Sequence, residues 1–235
     1  MLMKGVWVLF VLLGLFICLA INCIQQSEFT GMPVTIVTGN SVPNTNKVDD
    51  SLCKNAKIVK FNHHWLLSPT TFSKNVRYTV VIHNGSASRT FSELKKQNMF
   101  GSIDEIVVCT SLEGAAPQYV ITERKIADAR LCINTYKDDI GTIPIRIISK
   151  DELAEVYRAL HDKRFPKSTV PRTGPAYVMW LLLQKHKVFI NGFDIDDTDA
   201  TTHTFEDAKV PGKHSVRAEG ELFKSLLRDG SITKV

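Results

Sequence analysis

The sequence has no arginine-rich arm and no basic run interleaved with aromatic residues; its net charge of +5 is scattered along 235 residues. That scatter argues against nucleic acid as a partner, because phosphate backbones are bound by clustered cations. A mild positive balance suits an anionic ligand and equally a solvated surface. Cysteine is scarce, with five in all. Cys18 and Cys23 fall in an apolar N-terminal run, leaving Cys53, Cys109 and Cys132. An odd remainder permits at most one internal bridge, and no pair has the spacing of a zinc knuckle, so neither a disulfide framework nor a structural metal is expected. No internal repeat is present.

Charge is also missing from Gly5 to Ile24, an almost wholly apolar stretch with Asn22 as its only strongly polar member. About 20 such residues suffice to cross a bilayer as a helix. Lys4 precedes the run and Glu28 is the first charge after it, a bias toward a cytoplasmic N-terminus with the bulk of the chain across the membrane. A cleaved signal peptide is the rival reading, since Cys18-Leu19-Ala20 offers small residues for processing. The apolar run continues past Ala20 to Ile24, which favours an uncleaved anchor over residues 1–24. Residues 25–54 are rich in Ser, Thr, Asn, Gly and Pro with little periodicity and read as a stem. Residues 55–235 are then a single domain; about 200 residues beyond an anchor are enough for a substantial core.

Within that domain, Arg77–Ile82 is a β-branched run ending in the polar loop His83-Asn84-Gly85-Ser86. Ser92–Gln97 reads as a short helix, Ile106–Cys109 as a strand, and Gln118–Ile121 as another. Ile143–Ile148 is a further strand, and Pro144 sets it at a sheet edge or delays its start. Ser149-Lys150-Asp151-Glu152 has capping-box spacing before the apolar stripe Leu153, Val156, Tyr157 and Leu160. A helix near Pro175 through Gln184, a strand Lys187–Ile190, and a last helix through Leu226-Leu227 stopping at Gly230 complete the pattern. Strands alternating with helices predict an α/β domain with a mostly parallel, Rossmann-type sheet flanked by helices.

Chemistry concentrates in the last third. His203-Thr204-Phe205-Glu206 and His214 through Glu219 are two histidine–glutamate pairs in a short span. Imidazole exchanges protons near neutral pH, so the pairs suggest a catalytic site. Ligands of open α/β sheets bind beyond the carboxyl ends of strands. Three segments fall at such positions: Asn84-Gly85-Ser86, Thr173-Gly174 at the start of a helix, and Gly192-Phe193-Asp194. The helix start offers free N–H groups and a positive dipole end to a phosphate. Each also has an ordinary reading. Asn-Gly-Ser is a turn and a glycosylation sequon, and Thr-Gly before a helix is a common cap.

The order of Arg77–Ser86, Gly101-Ser102-Ile103-Asp104, Pro171–Gly174, Gly192-Phe193, His203–Glu206 and His214–Glu219 resembles the sialylmotifs of the family-29 sialyltransferases. The resemblance spans about residues 77–220 and is more specific toward the C-terminus. The sequence departs from the family at Tyr78, where the family has a cysteine, and at Gln184 or Lys185, where it has that cysteine's partner. Val108-Cys109-Thr110 stands where the family carries Arg-x-Asn, and either His83 or Asn84 takes the place of the first-loop asparagine.

The resemblance implies a GT-A-like fold and inverting transfer of sialic acid from CMP-sialic acid to a terminal sugar hydroxyl of a glycan, without metal or other cofactor. It implies His214 as general base and His203 as the group stabilising the departing phosphate. Asn84, Gly85, Ser86, Thr173, Gly174, Gly192 and Phe193 would line the donor site, while Glu219 would orient local structure. With residues 5–24 in the membrane, it implies a type II protein of the Golgi or another secretory-pathway membrane with a lumenal catalytic domain.

Two alternatives stand beside it. Asp194-Ile195-Asp196 has the form of an Asp-x-Asp that holds Mg²⁺ or Mn²⁺ against a UDP- or GDP-sugar. Alternatively, the chain is an inactive membrane-anchored glycan- or nucleotide-binding protein. Loss of the Arg-x-Asn segment favours the inactive reading, and survival of both His–Glu pairs speaks against it.

Overall fold

The computed structural model of the chain describes residues 32–39, 56–63, 66, 76–109, 123–167, 169–193, 195, 202–203, 206–209 and 215–235. The chain divides into two units, Met1–Pro33 and Val34–Val235, and the architecture below is that of the second. Its strands are β1 (Val34–Thr38), β2 (Lys57–Phe61), β3 (Tyr78–His83), β4 (Ile103–Cys109), β5 (Ile145–Ile147), β6 (Lys187–Asn191), β7 (Thr202–His203), β8 (Glu206–Lys209) and β9 (Ile232–Lys234). Its α-helices are α1 (Ala87–Lys96), α2 (Glu123–Thr135), α3 (Lys137–Ile140), α4 (Lys150–Asp162), α5 (Thr173–Leu183) and α6 (Val216–Arg228).

Seven strands form one sheet in the order β5-β4-β3-β2-β1-β6-β9, and every neighbouring pair is parallel. A parallel sheet is covered on both faces, so its strands read as continuous apolar runs rather than alternating ones. β3 shows this: five of its six residues are buried. One face carries Val37, Val59, Val81 and Val107 into a core with Leu153 and Leu160 of α4, Tyr177 and Leu181 of α5, and Leu222 and Leu226 of α6. The other face carries Tyr78, Val80, Ile82 and Ile106 against Ala87, Phe91 and Leu94 of α1. The short β7–β8 pair is a separate antiparallel ribbon.

The central position of β1 corrects the expected organisation. Residues 25–54 read as a stem, yet Val34–Thr38 lies between β2 and β6 in the middle of the sheet, with Ile36 and Val37 buried. The domain therefore begins at Val34, not at residue 55. Val-Thr-Ile-Val-Thr is β-branched throughout, which is strand chemistry. Its five residues are flanked by so much Pro, Gly and Asn that the segment's average composition conceals them. β2 also had no counterpart in the sequence reading, because Lys57 and Lys60 interrupt its apolar run; α2 and β9 likewise had none. The expected strand Gln118–Ile121 and the apolar run Gly5–Ile24 lie outside the described residues. Among the described residues, no helix is long and apolar enough to cross a membrane. Cys109 and Cys132 are both free thiols.

The C-terminal elements match expectation closely. β5 is an edge strand preceded by Pro144, whose carbonyl accepts from the Ile106 N–H at 2.9 Å. At the start of α4 the Glu152 N–H donates to Ser149 Oγ at 3.2 Å, and the Ser149 N–H donates to Glu152 Oε2 at 2.9 Å. Burial raises the Glu152 carboxyl, but hydrogen bonds from Ser149, Arg146 and Trp180 outweigh it and hold the group down at about 2. All seven residues from Pro175 to Leu181 are buried, so α5 is enclosed on every side, as a helix at the centre of a core is. α6 ends at Arg228, and Gly230 two residues on takes φ +74°, a conformation that favours glycine.

Ser149→Ala removes the acceptor for the Glu152 N–H, and loss of about 1 kcal/mol in equilibrium denaturation is expected, with the spectrum of the folded state unchanged.

Candidate active site

From β1 the chain steps outward through β2, β3, β4 and β5, then returns across β1 to place β6 on its other side. The direction of winding thus reverses between β1 and β6. In open α/β sheets the crevice at the carboxyl ends of two such strands is the ligand position. Here those ends are Gly39, after β1, and Gly192-Phe193, after β6.

The two chain segments touch. The Gly39 N–H donates to the Asn191 carbonyl at 2.7 Å, carrying the β1–β6 pairing one residue past the strand. A Cβ on Gly39 would sit 2.1 Å from the Gly192 carbonyl oxygen and 3.1 Å from the Phe193 ring. Gly192 itself takes φ +72°. Close backbone approach thus requires glycine at 39, and the backbone direction favours it at 192.

Phe193 joins this point to two helices. Its ring lies 6.4 Å from Phe61 at the end of β2 and 4.8 Å from Phe223 of α6. A Cβ on Gly174 would meet Phe193 Cε1 at 2.9 Å, so the ring rests directly on the first turn of α5. The structure therefore brings together Thr173, Gly174, Gly192 and Phe193. Arg172 is the N-cap of α5 and its side chain makes no capping bond, and Pro175 has no N–H. The N–H groups of Thr173 and Gly174 belong to the orphan set that a helix start presents.

Glu219 of α6 fixes that helix start from the other side. It is only 1% exposed, and it accepts from the Arg172 backbone N–H at 2.8 Å and from Arg172 Nε. Burial drives its carboxyl upward, and Arg172 pulls it back only in part. One residue on, a Cβ at Gly220 would lie 3.0 Å from the Ile195 carbonyl oxygen. The first turns of α6 are thus held against both Arg172 and the chain following β6. Ser215 caps α6, accepting from the Ala218 N–H at 3.1 Å. His214, the residue before this cap, lies outside the described residues, as do Asp194 and Asp196. His203 is the register partner of Glu206 in the antiparallel β7–β8 ribbon.

Asn84-Gly85-Ser86 is a single 3₁₀ turn at the end of β3, leading into α1, with the Gly85 N–H donating to His83 Nδ1 at 3.2 Å. It shares the carboxyl edge with the other segments, but β2 and β1 intervene before β6. Three strand spacings of about 4.8 Å make that roughly 14 Å. The structure does not join this turn directly to Thr173–Phe193.

The residues lying between were missed in the sequence: Gly39 after β1, and Lys60, Phe61 and Asn62 at the end of β2. Asn62 takes φ +51°, and its Oδ1 accepts from the His83 N–H at 2.8 Å, tying the β2 exit to the β3 exit. The available signal was Gly39-Asn40 directly after a β-branched run, a strand followed by turn residues. Asn191, at the end of β6, was also passed over.

No protein-family model matches the chain, and no curated protein matches it in sequence. Solved structures do match in fold. The monofunctional α-2,3-sialyltransferase Cst-I from Campylobacter jejuni superimposes with a TM-score of 0.57 at 14% identity, over 86% of this chain and 75% of that one. The sialyltransferase CstII from the same organism, in complex with the substrate analogue CMP-3FNeuAc, gives 0.52 at 13% identity, over 86% and 79%. A mammalian sialyltransferase gives 0.51 at 16% identity, over 87% and 69%. The fold is similar to that of sialyltransferases. At these identities the likeness is one of fold.

Gly39→Ala would drive a methyl into the Gly192 carbonyl and force β1 and β6 apart at their carboxyl ends. A loss of about 2–3 kcal/mol is expected in chemical denaturation, the cost of overpacking a site with no room to give.

Proposed function

We propose that the chain is an inverting glycosyltransferase of GT-A-like architecture that moves sialic acid from CMP-sialic acid to a terminal sugar hydroxyl of a glycan. One observation carries this reading: four residues expected at a donor site, Thr173, Gly174, Gly192 and Phe193, converge at the winding reversal of a sheet whose fold resembles that of sialyltransferases. Two of the similar structures, both of CstII, hold CMP-3FNeuAc and cytidine-5′-monophosphate, which supports a CMP-sugar as donor.

In this reading the nucleotide phosphate lies at the start of α5, taking hydrogen bonds from the N–H groups of Thr173 and Gly174 and favoured by the helix dipole. His214 removes the proton from the acceptor hydroxyl as its oxygen attacks the anomeric carbon. The bond from that carbon to the phosphate oxygen breaks, and CMP departs with the electron pair. His203, when protonated, stabilises the growing negative charge by a charge-assisted hydrogen bond. Glu219 performs no chemistry; it holds Arg172, and with it the helix start.

Topology also favours a reassignment within the family pattern. β1 lies at the winding reversal and β3 does not, so Gly39-Asn40 suits the glycine–asparagine pair of the large motif better than Asn84-Gly85. Lys60-Phe61-Asn62, a basic residue, one intervening, then asparagine at the end of β2, suits the Arg-x-Asn segment better than Val108-Cys109-Thr110. That restores a segment whose loss had favoured an inactive protein. Residues 5–24 complete the proposal as a membrane anchor, with the catalytic domain on the lumenal side of a secretory-pathway membrane.

Calorimetry of the full chain with CMP, UDP and GDP, with and without Mn²⁺, tests the donor. CMP binding insensitive to metal is expected; metal-dependent UDP or GDP binding would transfer the site to Asp194 and Asp196. His214→Ala should reduce transfer at least about 100-fold, the usual worth of a general base, while CMP affinity stays within about twofold.

A further inference from the structure

Three basic residues at or near the surface of the sheet and its helices are paired with carboxylates. Lys57 meets Glu105, Arg146 meets Glu152, and Arg172 meets Glu219. Lys60 differs. It is 6% exposed, more enclosed than any of these cations; no ion pair involves it among the described residues, and burial alone acts on its ammonium. A buried cation without a counter-charge is among the costliest arrangements in a protein, so its presence asks for a partner.

The strand register shows what surrounds it. Thr38 of β1 is the direct partner of Asn191 of β6. Val37 pairs with Val59, so Thr38 and Lys60 are the next rung of the same ladder. Directly paired residues of parallel strands point to the same face. Asn191, Thr38 and Lys60 therefore form a row on one face, at the last rung before the carboxyl ends of β6, β1 and β2. Two strand spacings separate its ends, about 10 Å, a span that one ligand carrying both an anionic group and a hydroxyl or N–H can bridge. Asn191 is 4% exposed, and its Oδ1 is buried with no hydrogen-bond partner among the described residues. Buried acceptors are nearly always satisfied, so an orphan of this kind points to a donor that arrives from elsewhere. Thr38, partly exposed between the two, leaves an approach.

We infer that Lys60, Thr38 and Asn191 form an oxyanion-binding subsite at the winding reversal, in which Lys60 takes the negative charge and Asn191 Oδ1 accepts from a hydroxyl or N–H of the same ligand. Burial lowers the Lys60 ammonium only to about 8, so it remains largely charged at neutral pH. A neutral sugar would leave the cation uncompensated; a phosphate ester or a sugar carboxylate with a neighbouring hydroxyl satisfies both groups. The identification of that ligand with the CMP-sugar donor rests on the function proposed above, whereas the subsite itself rests on the row.

Lys60→Met in the full chain is the test, read by thermal unfolding and by calorimetry with CMP, cytidine and N-acetylneuraminate. Without ligand, the thermal midpoint of the variant should equal or exceed that of the parent, because an uncompensated charge has been replaced by an apolar side chain of similar length. Affinity for CMP should fall at least tenfold with cytidine affinity unchanged if the phosphate sits on Lys60. If the sugar carboxylate sits there instead, N-acetylneuraminate binding falls while CMP and cytidine hold. Lys60→Arg should recover part of the loss in either case. Unchanged binding of all three ligands overturns the subsite. So does a lowered midpoint in the ligand-free Lys60→Met chain that Lys60→Arg restores, since Lys60 would then be paired within its own protein. Should the parent bind no cytidine nucleotide, the donor reading fails by itself. Inorganic pyrophosphate and N-acetylneuraminate then decide the subsite: binding lost in Lys60→Met retains it, and no binding to the parent removes it.

Discussion

The contact on which the carboxyl edge of this sheet depends is a backbone one. Gly39 donates to Asn191, and the absence of a side chain at 39 lets the chain leaving β1 lie against the carbonyl of Gly192. Hydrogen bonding and steric exclusion act together here. The ladder between the two strands extends past their ends, and the opening that normally separates diverging strand exits is narrowed to van der Waals contact. Everything positioned nearby inherits this distance. Phe193 follows directly and is thrown onto Gly174 and Phe223, so the entry of α5 and the flank of α6 are located by the same pair of glycines.

A second device is electrostatic. Glu219 lies almost wholly out of water, where an ionised carboxylate is disfavoured, and Arg172 offsets that cost through backbone and side-chain bonds together. Such a pair is weak evidence for stability. Its geometric effect is stronger: a backbone N–H immediately before α5 is fixed to a residue of α6, forty-seven positions later in the chain. Two helices that share no sequence neighbourhood thus present their first turns together.

Much of the architecture was legible because local signals were unmixed. The capping box at Ser149, the edge proline at Pro144 and the terminating Gly230 each act within one or two turns and do not depend on distant partners. The convergence of Thr173-Gly174 with Gly192-Phe193 also follows from reading strand ends as ligand positions. β1 was illegible for a different reason. Its five β-branched residues sit among turn formers, and what makes it an interior strand is pairing with a segment about 150 positions later, beside which Thr35 also hydrogen-bonds His186, 151 positions on. Lys60 hid β2 in the same way, since a lysine in an apolar run reads as solvent-facing until the strands on either side of it are known. The Asn84-Gly85-Ser86 turn is a different case. Its chemistry was read correctly as a strand-end loop, but strand order, which no local pattern reveals, sets it three strands from β6.

The central placement of β1 also shapes how the molecule comes into being. The partner that covers one of its edges, β6, is not synthesised until about 150 residues later, an interval on the order of ten seconds or more at ordinary ribosomal rates. Throughout that time β1 has an open, β-branched edge, although it is an interior strand of the finished sheet. Contacts of such sequence separation slow folding and lengthen exposure to aggregation. The glycine that permits the closest approach in the finished protein therefore belongs to a junction that cannot close until β6 has been made.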